Sequence, residues 1–328
     1  AEKLIELILN FYENHGGGGL LLEPKQRGSD TNLAAGFRLQ MLVDMYLSLI
    51  RSPSLDAYSH LQFVKLIYDD MEFLNYPQCF WGHHASGNNW GAAGNTGLAC
   101  GVTYFPEFDK QEAWLEELAK RVSYQLDTLI LDDGAYIETT NSYSTTVFAD
   151  FSKYKSLMND LGYPVPASLD MKMKRFVYSF MNMMEPNGYL TEYGDDGYDF
   201  SQDLLDSIYE LGQVYDDPYL LYVGSRGAEG SVPDHTSVDY PDGRYTIMRT
   251  GWGEQDLFSF VITRPFGTHS HNHGLSMTLY AYGRRLLADT SQRSYDSETI
   301  SNWQRMRRVS HNVIEIDDDT VYKGWTQN

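Results

Sequence analysis

The sequence predicts an α+β multidomain chain, with an α/α array of helices over residues 1–228 and an antiparallel β domain over residues 229–328. Three observations carry that reading. Apolar residues in the first part recur at i, i+3 and i+4, as on one face of a helix. Loops rich in Gly, Asn and Tyr separate these runs, as between the helix pairs of an array, whether closed as a toroid or open as a solenoid. Beyond residue 227 the pattern changes to runs in which apolar and polar residues alternate, as in strands covered on one side.

In chain order, Leu4, Ile5, Leu7, Ile8 and Phe11 mark the first amphipathic segment. The same spacing predicts helices over 34–50, 57–74, 110–130, 142–161, 168–184 and 201–221, with loops at 16–19, 81–89, 132–136 and 187–198. No repeat of fixed period is evident. Gly230-Ser231-Val232-Pro233-Asp234 reads as a linker. Strands are predicted over 244–249 and 257–262, with Gly251-Trp252-Gly253 between them. Another is predicted over 275–282, then a turn at Gly283-Arg284-Arg285, a returning strand over 286–289 and a further strand over 310–316. A sheet of about 100 residues leaves an open edge or face, so more β structure is expected beyond Asn328.

Chemistry concentrates at Thr268-His269-Ser270-His271-Asn272-His273-Gly274. Three histidines at every second position of an extended segment point to one face. The strands that follow put His271 and Asp289 on neighbouring strands, and His311 begins the next. Two imidazoles and a carboxylate converging from three strands make a Zn-type site with one coordination position open.

Composition removes several classes. A chain of 328 residues with 42% apolar residues and 25 Tyr is globular and long enough for two cores. No apolar run reaches the roughly 20 residues that span a bilayer. Ala1-Glu2-Lys3 is neither a start nor a signal sequence, so any export signal lies outside the given sequence, and the expected location is secreted or periplasmic. Cys79 and Cys100 lack CxxC spacing and support neither a disulfide framework nor a Cys-based metal site. The formal net charge of −20 argues against nucleic acid as a partner, because phosphate binding needs a basic stripe. An acidic substrate would need a local basic pocket, for which Arg284, Arg285, Arg305, Arg307 and Arg308 are candidates. Oligomeric state is not readable from the sequence.

His269-Ser270-His271, Leu275 to Tyr282, Gly283-Arg284, Leu286-Leu287-Ala288-Asp289 and Tyr295 resemble the β-domain signature of heparinase II/III-type polysaccharide lyases. Arg308-Val309-Ser310-His311-Asn312-Val313 resembles the next signature of that family. In the helical half, Gly87-Asn88-Asn89-Trp90 followed by Gly97-Leu98 and Phe105-Pro106-Glu107 is similar to its Asn-containing catalytic helix. Glu138 with Tyr143 is similar to the segment that supplies its catalytic Tyr. The blocks are scattered from about residue 80 to 315, and the β-domain block is the specific one.

The resemblance implies an (α/α) toroid followed by an antiparallel β-sandwich, with the active site in the cleft between them. It implies β-elimination of a uronic-acid-containing polysaccharide such as heparin, heparan sulfate or alginate. It also implies a structural divalent metal, Zn, held by His271, Asp289 and His311, with His269 facing the substrate. Two positions depart from the family pattern. His273 stands where relatives usually have an acidic residue, and Asn89-Trp90 where many have Asn-His.

β-Elimination removes the C5 proton of a uronate and expels O4. While the adjacent carboxylate is charged that proton is barely acidic, so a neutralising group must stabilise the enolate-like charge. Asn89 takes that role, with Asn88 its competitor, since adjacent helix residues differ by about 100° in direction. A base must reach C5 and an acid O4. Tyr143 suits either task once cations lower its phenol from about 10, and the imidazole of His269 is the natural second group. Asn89, Tyr143 and His269 are therefore the expected catalytic residues, and Asn88, His84, Tyr295 and Arg308 the expected substrate-binding ones. His83 or His84 is expected to line the cleft, and Tyr295 with Trp303 to stack on sugar rings. The 25 basic against 45 acidic residues tilt the expected polymer toward alginate.

Three rival readings are a glycoside hydrolase using Asp132, Asp133 and Glu138, or Asp195 and Asp196, a non-catalytic glycan-binding protein with tyrosine platforms, and a metal-dependent hydrolase using the open Zn position.

Overall fold

Helical spacing becomes helix wherever the sequence predicts it, in a computed structural model that describes residues 1–15, 31–82, 85–197, 201–264, 268–290, 304–305 and 307–314. The helices are α1 (Glu2–His15), α2 (Asn32–Leu49), α3 (Ala57–Asn75), the short α4 (Pro77–Phe80), α5 (Asn89–Tyr104), α6 (Gln111–Leu129), α7 (Asn141–Leu161), α8 (Leu169–Met183), α9 (Gln202–Val214) and α10 (Pro218–Gly224). Side-chain oxygens fix several starts by accepting otherwise unpaired backbone N–H groups. Thr31 Oγ1 accepts from Ala34 N at 3.1 Å, and Asp56 Oδ1 from Ser59 N at 2.8 Å. The helix predicted over 201–221 is split in two. Asp216 turns the chain with a φ of 50°, and Asp217 caps α10 just ahead of Pro218, the helix position that proline tolerates best.

Contacts group the chain into two units, Ala1–Thr128 with Val147–Leu169, and Leu129–Thr146 with Asp170–Asn328. The change from helix to strand falls later, between Gly224 and Ser237. Among the described residues no helix is long and apolar enough to cross a membrane.

In the first unit, α5 lies where the apolar spacing predicts no helix. It is buried nearly all round, so no stripe marks it in the sequence. It runs backbone to backbone against α2. A β-carbon at Gly36 would lie 2.5 Å from the Ala93 carbonyl oxygen, and one at Gly97 only 2.6 Å from that of Gly36. Only glycine permits that approach. Gln125 of α6 fixes the beginning of α5, donating to Asn88 O at 3.3 Å and accepting from Asn95 Nδ2 at 2.9 Å.

The second unit carries β1 (Ser237–Tyr240), β2 (Tyr245–Arg249), β3 (Phe258–Ile262), β4 (Ser276–Ala281) and β5 (Arg284–Leu287). They form one antiparallel sheet in sequence order, with Ile247 opposite Phe260 and Phe260 opposite Thr278. Alternation puts Ile247, Phe258, Phe260 and Ile262 on one buried face. Segment 182–196 of the same unit packs there. The Tyr193 ring lies tilted 5.0 Å from that of Phe260, Thr191 Oγ1 lies 2.8 Å from Thr278 Oγ1, and Arg249 donates to the carbonyls of Asn182 and Met184 at 2.6 and 3.0 Å.

The strand expected over 310–316 is not formed among the described residues. Arg308–Ser310 is one 3₁₀ turn. The Asn312 amide donates to Met277 O at 3.0 Å and Ala288 O at 2.8 Å, and its backbone carbonyl accepts from Met277 N at 3.3 Å.

Two predictions follow from this packing. Gly36→Ala should destabilise the protein by about 1–3 kcal/mol through overpacking, read by urea denaturation; unchanged stability would contradict the α2–α5 approach. Asp150, buried on α7 with Oδ2 lacking a hydrogen-bond partner among the described residues, is pushed by burial up to about 7. The unfolded chain ionises this carboxyl first, so its burial lowers stability as pH rises from about 4 to about 7. Asp150→Asn should match wild type at pH 4 and exceed it at pH 8 by on the order of 1–3 kcal/mol. Equal melting curves at both pH values would refute this.

Candidate functional site

Three pieces of backbone in the second unit meet at Gly194, whose φ is 68°. A β-carbon there would lie 2.0 Å from Thr139 O and 2.5 Å from His269 O. Across this contact Thr139 N donates to Thr268 O at 3.2 Å, Asp195 N to His269 O at 2.9 Å, and Thr140 Oγ1 to Asp195 O at 3.2 Å. The stretch ahead of α7, the turn at 194–196 and the histidine segment are thus fixed to one another.

Asp196 then sets the first turn of α7. Its Oδ2 accepts from Asn141 N at 3.1 Å, and its Oδ1 accepts from Ser142 N at 2.9 Å, from Ser142 Oγ and from Gly197 N at 3.1 Å. A carboxylate at a helix N-terminus also meets the positive end of the dipole. Burial nevertheless pushes its carboxyl up to about 6, against those hydrogen bonds. Tyr143, the third residue of α7, is presented by this arrangement. Its ring stacks on His269 with 3.8 Å between centroids and 17° between planes.

His269 has a φ of 57° and does not continue an extended strand. Its ring therefore leaves the face that the alternating spacing predicts for all three histidines. Its Nδ1 lies 2.9 Å from Asp195 Oδ2, and its Nε2 edge lies 3.7 Å from Glu138 Oε1. The other Asp195 oxygen, Oδ1, is 3.0 Å from His271 Nε2. Burial alone would raise the Asp195 carboxyl, but hydrogen bonds from His269 and His271 outweigh it and hold it well below the usual range. Glu138 is buried and accepts from the Tyr136 hydroxyl.

His271, His273 and His311 form a second, contiguous cluster, all buried, each with a ring nitrogen within 4.8 Å of the others'. Three ring nitrogens, His271 Nδ1, His273 Nδ1 and His311 Nε2, have no hydrogen-bond partner among the described residues, a costly state inside a protein unless something else binds them. Burial holds the His271 imidazole below its ordinary value, favouring the neutral form a metal requires. Carboxylates take the far nitrogens, as is usual for metal-binding histidines. Asp195 faces His271 Nε2, and Asp289 faces His311 Nδ1. The cluster can hold a divalent metal ion.

The converging set differs from the expected one. His271 and His311 are in it, but His273 is the third member. Asp289 lies behind two of the histidines, contacting His311 through Oδ1 and His273 Nδ1 through Oδ2 at 3.4 Å. Spacing alone sees a ligand in every His or Asp and cannot separate those that face a centre from those that brace it.

The remaining candidates divide as follows. Asn89 is the buried first residue of α5, in the first unit, and Asn88 caps that helix, its Oδ1 accepting from Trp90 N at 3.0 Å. Arg308 ties its own loop, donating to Ile314 O at 3.3 Å. Arg285 is engaged by Glu185 and Glu192, with nitrogens 2.6 and 2.7 Å from their oxygens. His83, His84, Tyr295 and Trp303 lie outside the described residues. Asp195, which the sequence offers only as half of a hydrolase pair, is the carboxylate between His269 and His271; the Gly194-Asp195 turn is its only local signal.

A helix-rich region followed by an antiparallel sheet places the chain among helical-plus-sheet multidomain proteins. Residues 23–221 match the profile of the Heparinase II/III N-terminus family, and the chain belongs to that family. It is 19% identical over 226 residues to a heparin-sulfate lyase of Bacteroides stercoris, an alignment covering 66% of this chain and 34% of that protein. Its fold matches a crystal structure of heparinase III with a TM-score of 0.84 at 19% identity, covering 97% of this chain and 51% of the other. A heparan sulfate lyase from Pedobacter heparinus matches with a TM-score of 0.70 at 16% identity, covering 97% and 50%. These likenesses bear out the expected fold class. The chain spans about a third of the curated relative and about half of each solved structure.

His273→Ala should weaken Zn²⁺ binding at least about 10-fold, as His271→Ala should, measured by competition with a chromophoric chelator. Undiminished affinity in His273→Ala alone would favour the set His271, Asp289 and His311.

Proposed function

We propose that this chain carries the catalytic part of a polysaccharide lyase that cleaves uronic-acid-containing polysaccharide by β-elimination, leaving a 4,5-unsaturated uronate. The observation that carries the reading is the Tyr143–His269 stack on an imidazole gripped by Asp195. In the elimination a base takes the C5 proton, the C4–C5 double bond forms, and O4 leaves with a proton from an acid. We assign these transfers to Tyr143 and His269, close enough to serve one sugar. Tyr143 does both in a syn elimination, whereas an anti elimination divides them. Asn89 is the residue we assign to the substrate carboxylate, on the family resemblance of its helix. Zn²⁺ is the ion we propose for the histidine cluster, where it would cross-link the loops that carry His271, His273 and His311.

The relatives named as heparin- and heparan-sulfate lyases favour a heparan-type glycosaminoglycan, and we place it first. The charge balance favours alginate, but net charge says little about a local field. Here Asp195, Asp289, Glu185 and Glu192 are each matched by a histidine or an arginine. A glycoside hydrolase using Asp195 and Asp196 is disfavoured because both are engaged, Asp195 by two histidines and Asp196 by the start of α7. A polymeric substrate does not cross a membrane unaided, so we place the protein outside the cytoplasm, secreted or periplasmic.

Incubation with heparan sulfate, heparin, alginate, chondroitin and hyaluronan should raise ultraviolet absorbance on the first two as the unsaturated uronate forms. A rise on alginate alone would reverse the substrate order, and new reducing ends without absorbance would replace the lyase by a hydrolase. Tyr143→Phe should cut kcat by about 10²–10⁴ with an unchanged melting midpoint. Retained turnover would remove Tyr143 from the chemistry.

A further inference from the structure

One carboxylate in the second unit grips two imidazoles that belong to different parts of the site. Asp195 Oδ2 lies 2.9 Å from His269 Nδ1, and Asp195 Oδ1 lies 3.0 Å from His271 Nε2. Its side chain is 2% exposed, so little water competes for either oxygen. An ionised carboxylate only accepts hydrogen bonds, so both ring nitrogens facing it must carry hydrogen. This fixes two tautomers at once. His269 is the Nδ1–H form, which leaves the lone pair of the neutral ring on Nε2. His271 is the Nε2–H form, which leaves its lone pair on Nδ1, the buried nitrogen without a hydrogen-bond partner among the described residues. Backbone strengthens the grip, since Asp195 N also donates to His269 O at 2.9 Å. The left-handed conformation of His269 is therefore held from both its main chain and its ring.

We propose that Asp195 is a positioning residue shared by the two halves of the site, setting the tautomer of His269 beneath Tyr143 and that of His271 toward the other two histidines. Loading of the histidine cluster and orientation of His269 are then linked through a single side chain. An ion that fixes the His271 ring also fixes the carboxylate that holds His269. The part concerning turnover rests on the function proposed above; the part concerning tautomers and metal does not.

Asp195→Asn is the informative change. It keeps the shape but offers one acceptor oxygen and an NH₂ in place of two acceptors, so it can satisfy only one of the imidazoles in its wild-type tautomer. The test uses the full chain labelled with ¹⁵N-histidine, ring signals being assigned by loss in His269→Gln and His271→Gln. Long-range ¹H–¹⁵N correlation then reads the protonated nitrogen of each ring. Wild type should show His269 as Nδ1–H and His271 as Nε2–H, an observation that needs no variant at position 195. In Asp195→Asn one of the two should change tautomer or exchange between forms. Zn²⁺ affinity by chelator competition, or kcat on the polymer that responds, should fall about 10–100-fold, with KM changed less than about threefold and the melting midpoint nearly kept.

A wild-type spectrum with His269 as Nε2–H would overturn the proposal directly. Wild-type tautomers and undiminished Zn²⁺ affinity in Asp195→Asn would also overturn it. If no polymer is turned over by wild type, the functional reading fails while tautomers and Zn²⁺ affinity still decide the proposal. If Asp195→Asn changes the His269 tautomer but leaves kcat intact, the link from Asp195 to turnover is overturned.

Discussion

Three stretches of backbone meet at Gly194, closely enough that a β-carbon there would lie 2.0 Å from the Thr139 carbonyl oxygen. The rest of the site depends on this approach. It brings the residues ahead of α7 against the histidine segment, and it puts two consecutive carboxylates to opposite uses. Asp196 organises the first turn of α7 and so presents Tyr143. Asp195 receives His269 and His271. A side chain at position 194 would push apart segments whose hydrogen bonds are 2.9–3.2 Å long, and the Tyr143–His269 stack would lose its geometry with them. Such sites are precise because rigid elements and their hydrogen bonds hold them.

Charge is distributed with the same economy. The chain has 20 more formal negative than positive charges, yet the acidic groups around the site are matched internally. Asp289 lies between His311 and His273, and Glu185 and Glu192 enclose Arg285. Burial raises the Glu192 carboxyl to about 7 against the pull of Arg285. Buried charges survive only when paired and hydrogen-bonded. The acidity of the whole chain is therefore a poor guide to what approaches the site.

Much of the site was legible as chemistry and little of it as geometry. His269, His271, His311 and Tyr143 stand out by spacing and family resemblance, and they are gathered in the second unit. His273 was read as a departure from the family pattern, yet it stands in the cluster, while Asp289 braces two of its members. The position that leaves the expected common face is His269. Alternation puts every second residue on one face only while the backbone stays extended, and His269 sits at a φ of 57°. Among the described residues of the strand expected over 310–316, the Asn312 amide bonds Met277 O and Ala288 O beside a backbone bond from Met277 N to Asn312 O.

What the sequence determined by itself is what depends on neighbours a few residues apart. The amphipathic spacing of α2, α3, α6, α7 and α8, the alternation in β2, β3 and β4, and the change of class after residue 227 are all local periodicities. Helix α5 shows no such periodicity and is marked only by its family resemblance, because burial nearly all round removes the polar face that makes a helix visible. The pairing of Asp195 with His269, 74 residues away, and with His271, 76 away, was decided only by tertiary structure. No local propensity encodes which oxygen meets which ring nitrogen. That is settled where Gly194 allows backbones to touch and the surrounding core holds them there.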